Sequence, residues 1–107
     1  MIVVEKIAFV MTLKPGCEEE YKKRHDQLWP ELALELKKAG ISNYSIYLHP
    51  PTLKLFAILD RTHDHTMADL PNTPAVKKWW GYMADIMETN LDSSPLVEDL
   101  KPMFYFK

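Results

Sequence analysis

Two segments of this chain, "KIAFVMTL" at 6–13 and "LKLFAILDR" at 53–61, have the composition of β-strands but are apolar on both sides. In the first, Ile7, Phe9, Met11 and Leu13 share one side and Ala8 and Val10 the other. In the second, Leu55, Ala57 and Leu59 oppose Phe56 and Ile58. A sheet made from such strands has to be covered twice, because neither face can be left to water. This restricts the chain to folds that sandwich the sheet or recruit a second copy of themselves.

The segments between the strands provide one covering layer. After the stop "KPG" at 14–16, Cys17, Tyr21, His25, Leu28, Leu32 and Leu36 recur at the three- and four-residue spacing of a helix. Glu18, Glu19 and Glu20 suit its positive end, and Gly40 suits the position just past its end. Pro30 cannot donate a backbone hydrogen bond, so the helix is expected to kink or restart there, with Pro30 first in the second piece. That frees a carbonyl next to His25. "ISNYSIYLHP" at 41–50 and the strand at 53–61 form a hairpin around "PPT". Thr73 then caps a second helix that begins at Pro74 and carries Val76, Trp79, Trp80, Met83, Ile86 and Met87 as one stripe. "LDSSPLVEDL" reads as a loop and "KPMFYFK" at 101–107 as a short closing strand.

The order β-α-β-β-α-β predicts an α+β, ferredoxin-like domain spanning residues 1–107, with both helices on one face of an antiparallel sheet. The second face then needs a partner, and a second copy stacked sheet on sheet predicts a homodimer. A formal charge of −2, with only short basic pairs such as Lys37-Lys38 and Lys77-Lys78, predicts no nucleic-acid partner. No apolar run approaches the ~18 residues of a membrane span, and Glu5 and Lys6 split the apolar start without a signal-peptide pattern. The single Cys17 can form no internal disulfide, so a reducing, cytoplasmic setting is expected.

Chemistry is concentrated in a few residues. Tyr21 and His25, four apart, put two directional polar groups on an otherwise apolar helical stripe. A buried pair of this kind is commonly structural, with His25 satisfied by a local carbonyl; it is also what a small-molecule pocket uses. Trp79 and Trp80 diverge by about 100° on their helix, so one is expected to anchor the core and one to border it. Tyr44 and Tyr47 differ in parity, so at most one shares a site with the first helix. "HDH" at 63–65 lacks a third ligand at a suitable spacing and predicts no metal. Cys17 lies among acidic residues that disfavour its thiolate. Three glycines leave little scope for a phosphate loop, so no cofactor is expected.

"EEYKKRH" with "LWPEL", then "NYSIYL", "KKWWGYMADIM", and "SSPL" before "EDL" and "MFYF" resemble the L-rhamnose mutarotase family in the right order through nearly the whole chain. The resemblance implies a dimeric α+β barrel that interconverts sugar anomers without a cofactor. It implies His25 as the catalytic proton donor and Tyr21, Tyr44, Trp79 and Trp80 as sugar-binding residues. Asp26, Gln27 and Leu91 depart from the family pattern, which often has Asn, Pro and Pro there. The same topology also hosts cofactor-free oxygenases, haem-degrading enzymes and non-catalytic binding modules, so topology alone does not choose among them.

Overall fold

The computed structural model describes residues 4–107. Strand β1 (Val4–Thr12) leads into two helices, α1 (Glu18–Asp26) and α2 (Pro30–Lys38). A hairpin follows, with β2 (Ile41–His49) and β3 (Lys54–Thr62), then a 3-10 turn at Met67–Asn72, α3 (Pro74–Met83) and a two-residue β4 (Glu98–Asp99). The sheet order is β2-β3-β1-β4 and every pairing is antiparallel, which is the ferredoxin-like arrangement.

Register sorts the two-faced strands. Ile7 pairs with Leu59, Phe9 with Ala57 and Met11 with Leu55, and this row packs under the helices with Tyr21, Leu32, Val76, Trp79 and Met83. Ala8, Val10, Phe56 and Ile58 take the far face, where Lys6 also bridges Asp60 at 2.7 Å. On β2 the parity changes at a bulge between Ser42 and Ser45, where Asn43 adopts a positive φ of 48°. The bulge lets Ile41, Tyr44, Ile46 and Leu48 all border the helix-side cleft, while Tyr47, paired with Phe56, stands 65% exposed on the far face.

The first helical stripe is two helices rather than one kinked rod. Gln27 N–H still reaches the Lys23 carbonyl at 3.1 Å, but Leu28 turns back to His25 at 3.2 Å and Trp29 is extended. Pro30 then opens α2 at its first position, where a missing N–H costs nothing. Gly40 sits just past α2 with φ 88°. Thr73 caps α3 by accepting from Val76 N–H at 3.3 Å. Helix α3 ends at Met83, short of the predicted stripe; Ile86 and Met87 are buried as expected, but in a turn that ties to Leu13 and Lys14.

The closing strand differs most from expectation. It lies at Glu98–Asp99, and residues 100–107 form no regular structure. Leu100 donates to the Ala8 carbonyl at 3.0 Å, so the next hydrogen-bonded pair along this ladder would set Pro102 opposite Lys6. Proline has no N–H to give, and the ladder stops.

Candidate active site

Helices α1 and α3, the sheet and the 89–99 segment enclose a cleft of about 1410 Å³. His25, Tyr21, Tyr44, Trp79 and Trp80 all line it. The helical period explains the first pair: His25 lies one turn beyond Tyr21, with ring centroids 4.3 Å apart. His25 Nδ1 is 3.0 Å from the Tyr21 carbonyl oxygen, so the histidine is satisfied within α1 and not by the carbonyl that Pro30 frees. Trp79, 8% exposed, meets His25 edge-on at 5.4 Å. Trp80 is half-buried at the border of the core, and Tyr44 meets Phe9 edge-on at 6.3 Å.

Burial sets the protonation of these groups. It pulls the His25 imidazole below its ordinary value of 6.5, against a smaller upward pull from the Tyr21 carbonyl and Asp26. Burial and the neighbouring Tyr44 push the Tyr21 hydroxyl well above the usual tyrosine range; Tyr44 is 39% exposed, and the desolvation it does feel acts in the same upward direction. Both tyrosines therefore stay protonated near neutrality and act as hydrogen-bonding hydroxyls.

Trp29 continues the Tyr21–His25 stripe, and two further residues, Arg24 and Asp99, join the site through tertiary contacts that the sequence does not display. Trp29, at the break between α1 and α2, stacks on Tyr82 at 5.4 Å and meets Trp79 edge-on at 5.1 Å, extending the aromatic wall. Arg24 is 11% exposed and fastens α1 to the end of α3, donating to the Tyr82 carbonyl at 2.7 Å and to Asp85 at 2.9 and 3.3 Å. Its guanidinium also lies 4.3 Å from the Tyr82 ring centre. Asp99 joins the cleft from the sheet side, paired with Phe9, and nothing in "VEDL" alone assigns it there. The residues passed over keep structural roles: His65 Nδ1 accepts from Met67 N–H at 3.2 Å, and Cys17 Sγ lies 3.6 Å from the Pro15 carbonyl. Among the described residues no group of three or more His, Cys, Asp or Glu side chains could hold a metal ion, and no helix is long and apolar enough to cross a membrane.

A family model for L-rhamnose mutarotase matches residues 6–106. The chain belongs to the L-rhamnose mutarotase family. An L-rhamnose mutarotase of Sinorhizobium fredii is 57% identical over 102 residues, covering 95% of this chain and 98% of that one. One from Leptothrix cholodnii is 51% identical over 104 residues, covering 97% and 98%. The crystal structure of L-rhamnose mutarotase from Formosa agariphila superposes with a TM-score of 0.90 at 47% identity, over 96% of this chain and 99% of that one. The Pseudomonas aeruginosa protein PA3566, at 13% identity and a TM-score of 0.58, shares the fold alone. A mutarotase has to move two protons, one at each of the two oxygens on the anomeric carbon, and a cleft with an imidazole, neutral hydroxyls and indole faces contains the group types for that task.

Proposed function

We infer that this protein is an isomerase that interconverts the α and β anomers of L-rhamnose. The observation that carries the reading is the convergence of His25, Tyr21, Tyr44, Trp79 and Trp80 on one cleft in a chain of this family.

Mutarotation breaks the bond between C1 and the ring oxygen. The ring oxygen gains a proton, the anomeric hydroxyl loses one, and the open aldehyde rotates before closing on its other face. No electrons move to or from the protein. Because a carbonyl can only accept, His25 Nδ1 donates to Tyr21, which leaves Nε2 as the nitrogen that exchanges protons with the sugar. As imidazolium, Nε2–H protonates the ring oxygen on opening; on closure the neutral nitrogen takes that proton back. Tyr21 and Tyr44 orient sugar hydroxyls, and Trp79 and Trp80 pack the C–H face and the 6-methyl group.

The complementary transfer is assigned to Asp99. Of the carboxylates lining the cleft, Glu18, Glu19 and Asp26 stand on α1 with His25, and Asp26 is paired with Lys22 at 2.9 Å. Asp99 is the one that comes from the sheet, exposed on β4 and paired with Phe9. Its carboxylate accepts the anomeric proton while His25 serves the ring oxygen.

The far sheet face supports the homodimer reading, since Phe56 and Tyr47 stand partly in water where helices do not reach. The lone thiol of Cys17 supports a cytoplasmic setting. The activity is tested by dissolving crystalline L-rhamnose and following optical rotation with and without enzyme. Catalysed relaxation to equilibrium is the expected result, and an unchanged time course at micromolar enzyme contradicts the assignment.

A further inference from the structure

Tyr44 enters the cleft because β2 breaks its alternation, and the break has an anchor. Ile41 pairs with Arg61 and Ile46 with Ala57, both on the helix side, although an odd step along the chain separates the two isoleucines. The extra residue lies between Ser42, opposite Asp60, and Ser45, opposite Ile58. Both serines are small and polar and tolerate either face, so the hydrophobic pattern does not fix where the bulge falls. Placed one position later, it would turn Tyr44 to the far face of the sheet.

Asn43 occupies the bulge at φ 48°, a left-handed conformation that asparagine tolerates better than most residues with a side chain. Its Nδ2 donates to Asp60 Oδ2 at 2.9 Å, and the other carboxylate oxygen accepts from Lys6 Nζ at 2.7 Å. Lys6, Asp60 and Ser42 are level across β1, β3 and β2, so this chain of bonds crosses the sheet right beside the bulge. Asp60 shares the far face with Phe56 and Ile58, away from the cleft. We propose that Asp60 is a positioning residue for the sugar site: through Asn43 it pins the β2 bulge in the register that sets Tyr44 in the cleft. Asp60 touches no substrate and acts on the sugar through Tyr44. The inference rests on the reading that Tyr44 orients a sugar hydroxyl, and adds what holds it there.

The test is a double-mutant cycle on L-rhamnose anomer exchange, with KM and kcat measured for wild type, Asp60→Ala, Tyr44→Phe and the double variant. Far-UV circular dichroism confirms folding. Asn43→Gly serves in place of Asp60→Ala if the latter does not fold, because glycine keeps the left-handed backbone while losing the bond to Asp60. KM does not depend on the fraction of enzyme that is folded, so a merely structural loss lowers apparent kcat and leaves KM alone. The proposal expects Asp60→Ala or Asn43→Gly to raise KM by about 3- to 10-fold, the worth of one hydrogen bond, and to raise it no further in the Tyr44→Phe background. An unchanged KM, or a rise of equal size with and without the Tyr44 hydroxyl, overturns the positioning role and leaves Tyr44 as a sugar contact. An unchanged KM in Tyr44→Phe alone overturns that contact and the positioning role with it.

Discussion

His25 Nδ1 lies 3.0 Å from the carbonyl oxygen of Tyr21, one helical turn earlier, and this contact fixes which nitrogen faces the sugar. It also means that His25 can donate from Nε2 only when it is an imidazolium, a form that burial disfavours.

The first prediction is a pH profile. With imidazolium as the donor, kcat/KM should fall as pH rises through a value below 6.5, because the charged form is lost there. A rise through the same value would instead make neutral His25 the base, and the roles of His25 and Asp99 would exchange. The same shift acts on stability. Between the lowered pKa and 6.5 the unfolded chain binds more protons than the folded one, so stability should rise with pH across that window. In His25→Gln this contribution should vanish from urea titrations at the two ends of it.

Asp99→Asn should lower kcat by a factor of ~10² to 10⁴ with little change in KM, the usual contribution of one positioned acid–base group. Wild-type kcat in a folded variant would remove Asp99 from the chemistry.

Arg24 links the helix that carries His25 to the helix that carries Trp79. Its guanidinium is held strongly protonated by Asp85, which is itself held below the usual carboxylate range by Arg24. Arg24→Met should cost about 2 kcal/mol, since it removes charge-assisted hydrogen bonds and leaves the Tyr82 carbonyl without its partner. The loosened wall should raise KM for the sugar more than it lowers kcat, which steady-state kinetics would resolve. Unchanged KM and an unchanged urea midpoint would mean that the tether is not needed.

Gly40→Ala should destabilise the fold without touching the cleft. The left-handed backbone alone costs a side chain about 1–2 kcal/mol, and an added Cβ would run into the Thr62 hydroxyl. A lower urea midpoint with normal kcat per folded molecule is expected, and an unchanged midpoint contradicts this reading.

Much of this was legible because periodicity and caps are local. Pro30, Gly40, Thr73 and Pro74 act through their own backbone, and the structure places each where the sequence expects it. Tyr21 and His25 share a helical face for the same reason. What depended on tertiary register was not legible: the bulge at Asn43 that keeps Tyr44 on the helix side, the Asp99–Phe9 pairing, and the Arg24 tether to residues almost sixty positions away. Pro102 is intermediate. A proline in a strand-like run was visible, but its effect followed only once the β1–β4 register set it opposite Lys6. Topology alone also admitted oxygenases and binding modules, and membership of the mutarotase family separates them.

His25 moves the proton that opens the sugar ring. This role is tested most directly by magnetisation-transfer NMR on equilibrated L-rhamnose, irradiating one anomeric proton and observing the other, with wild type and His25→Ala side by side. Transfer with wild type that collapses in the folded variant is the expected result. Equal transfer with both proteins, or none with wild type, would contradict it.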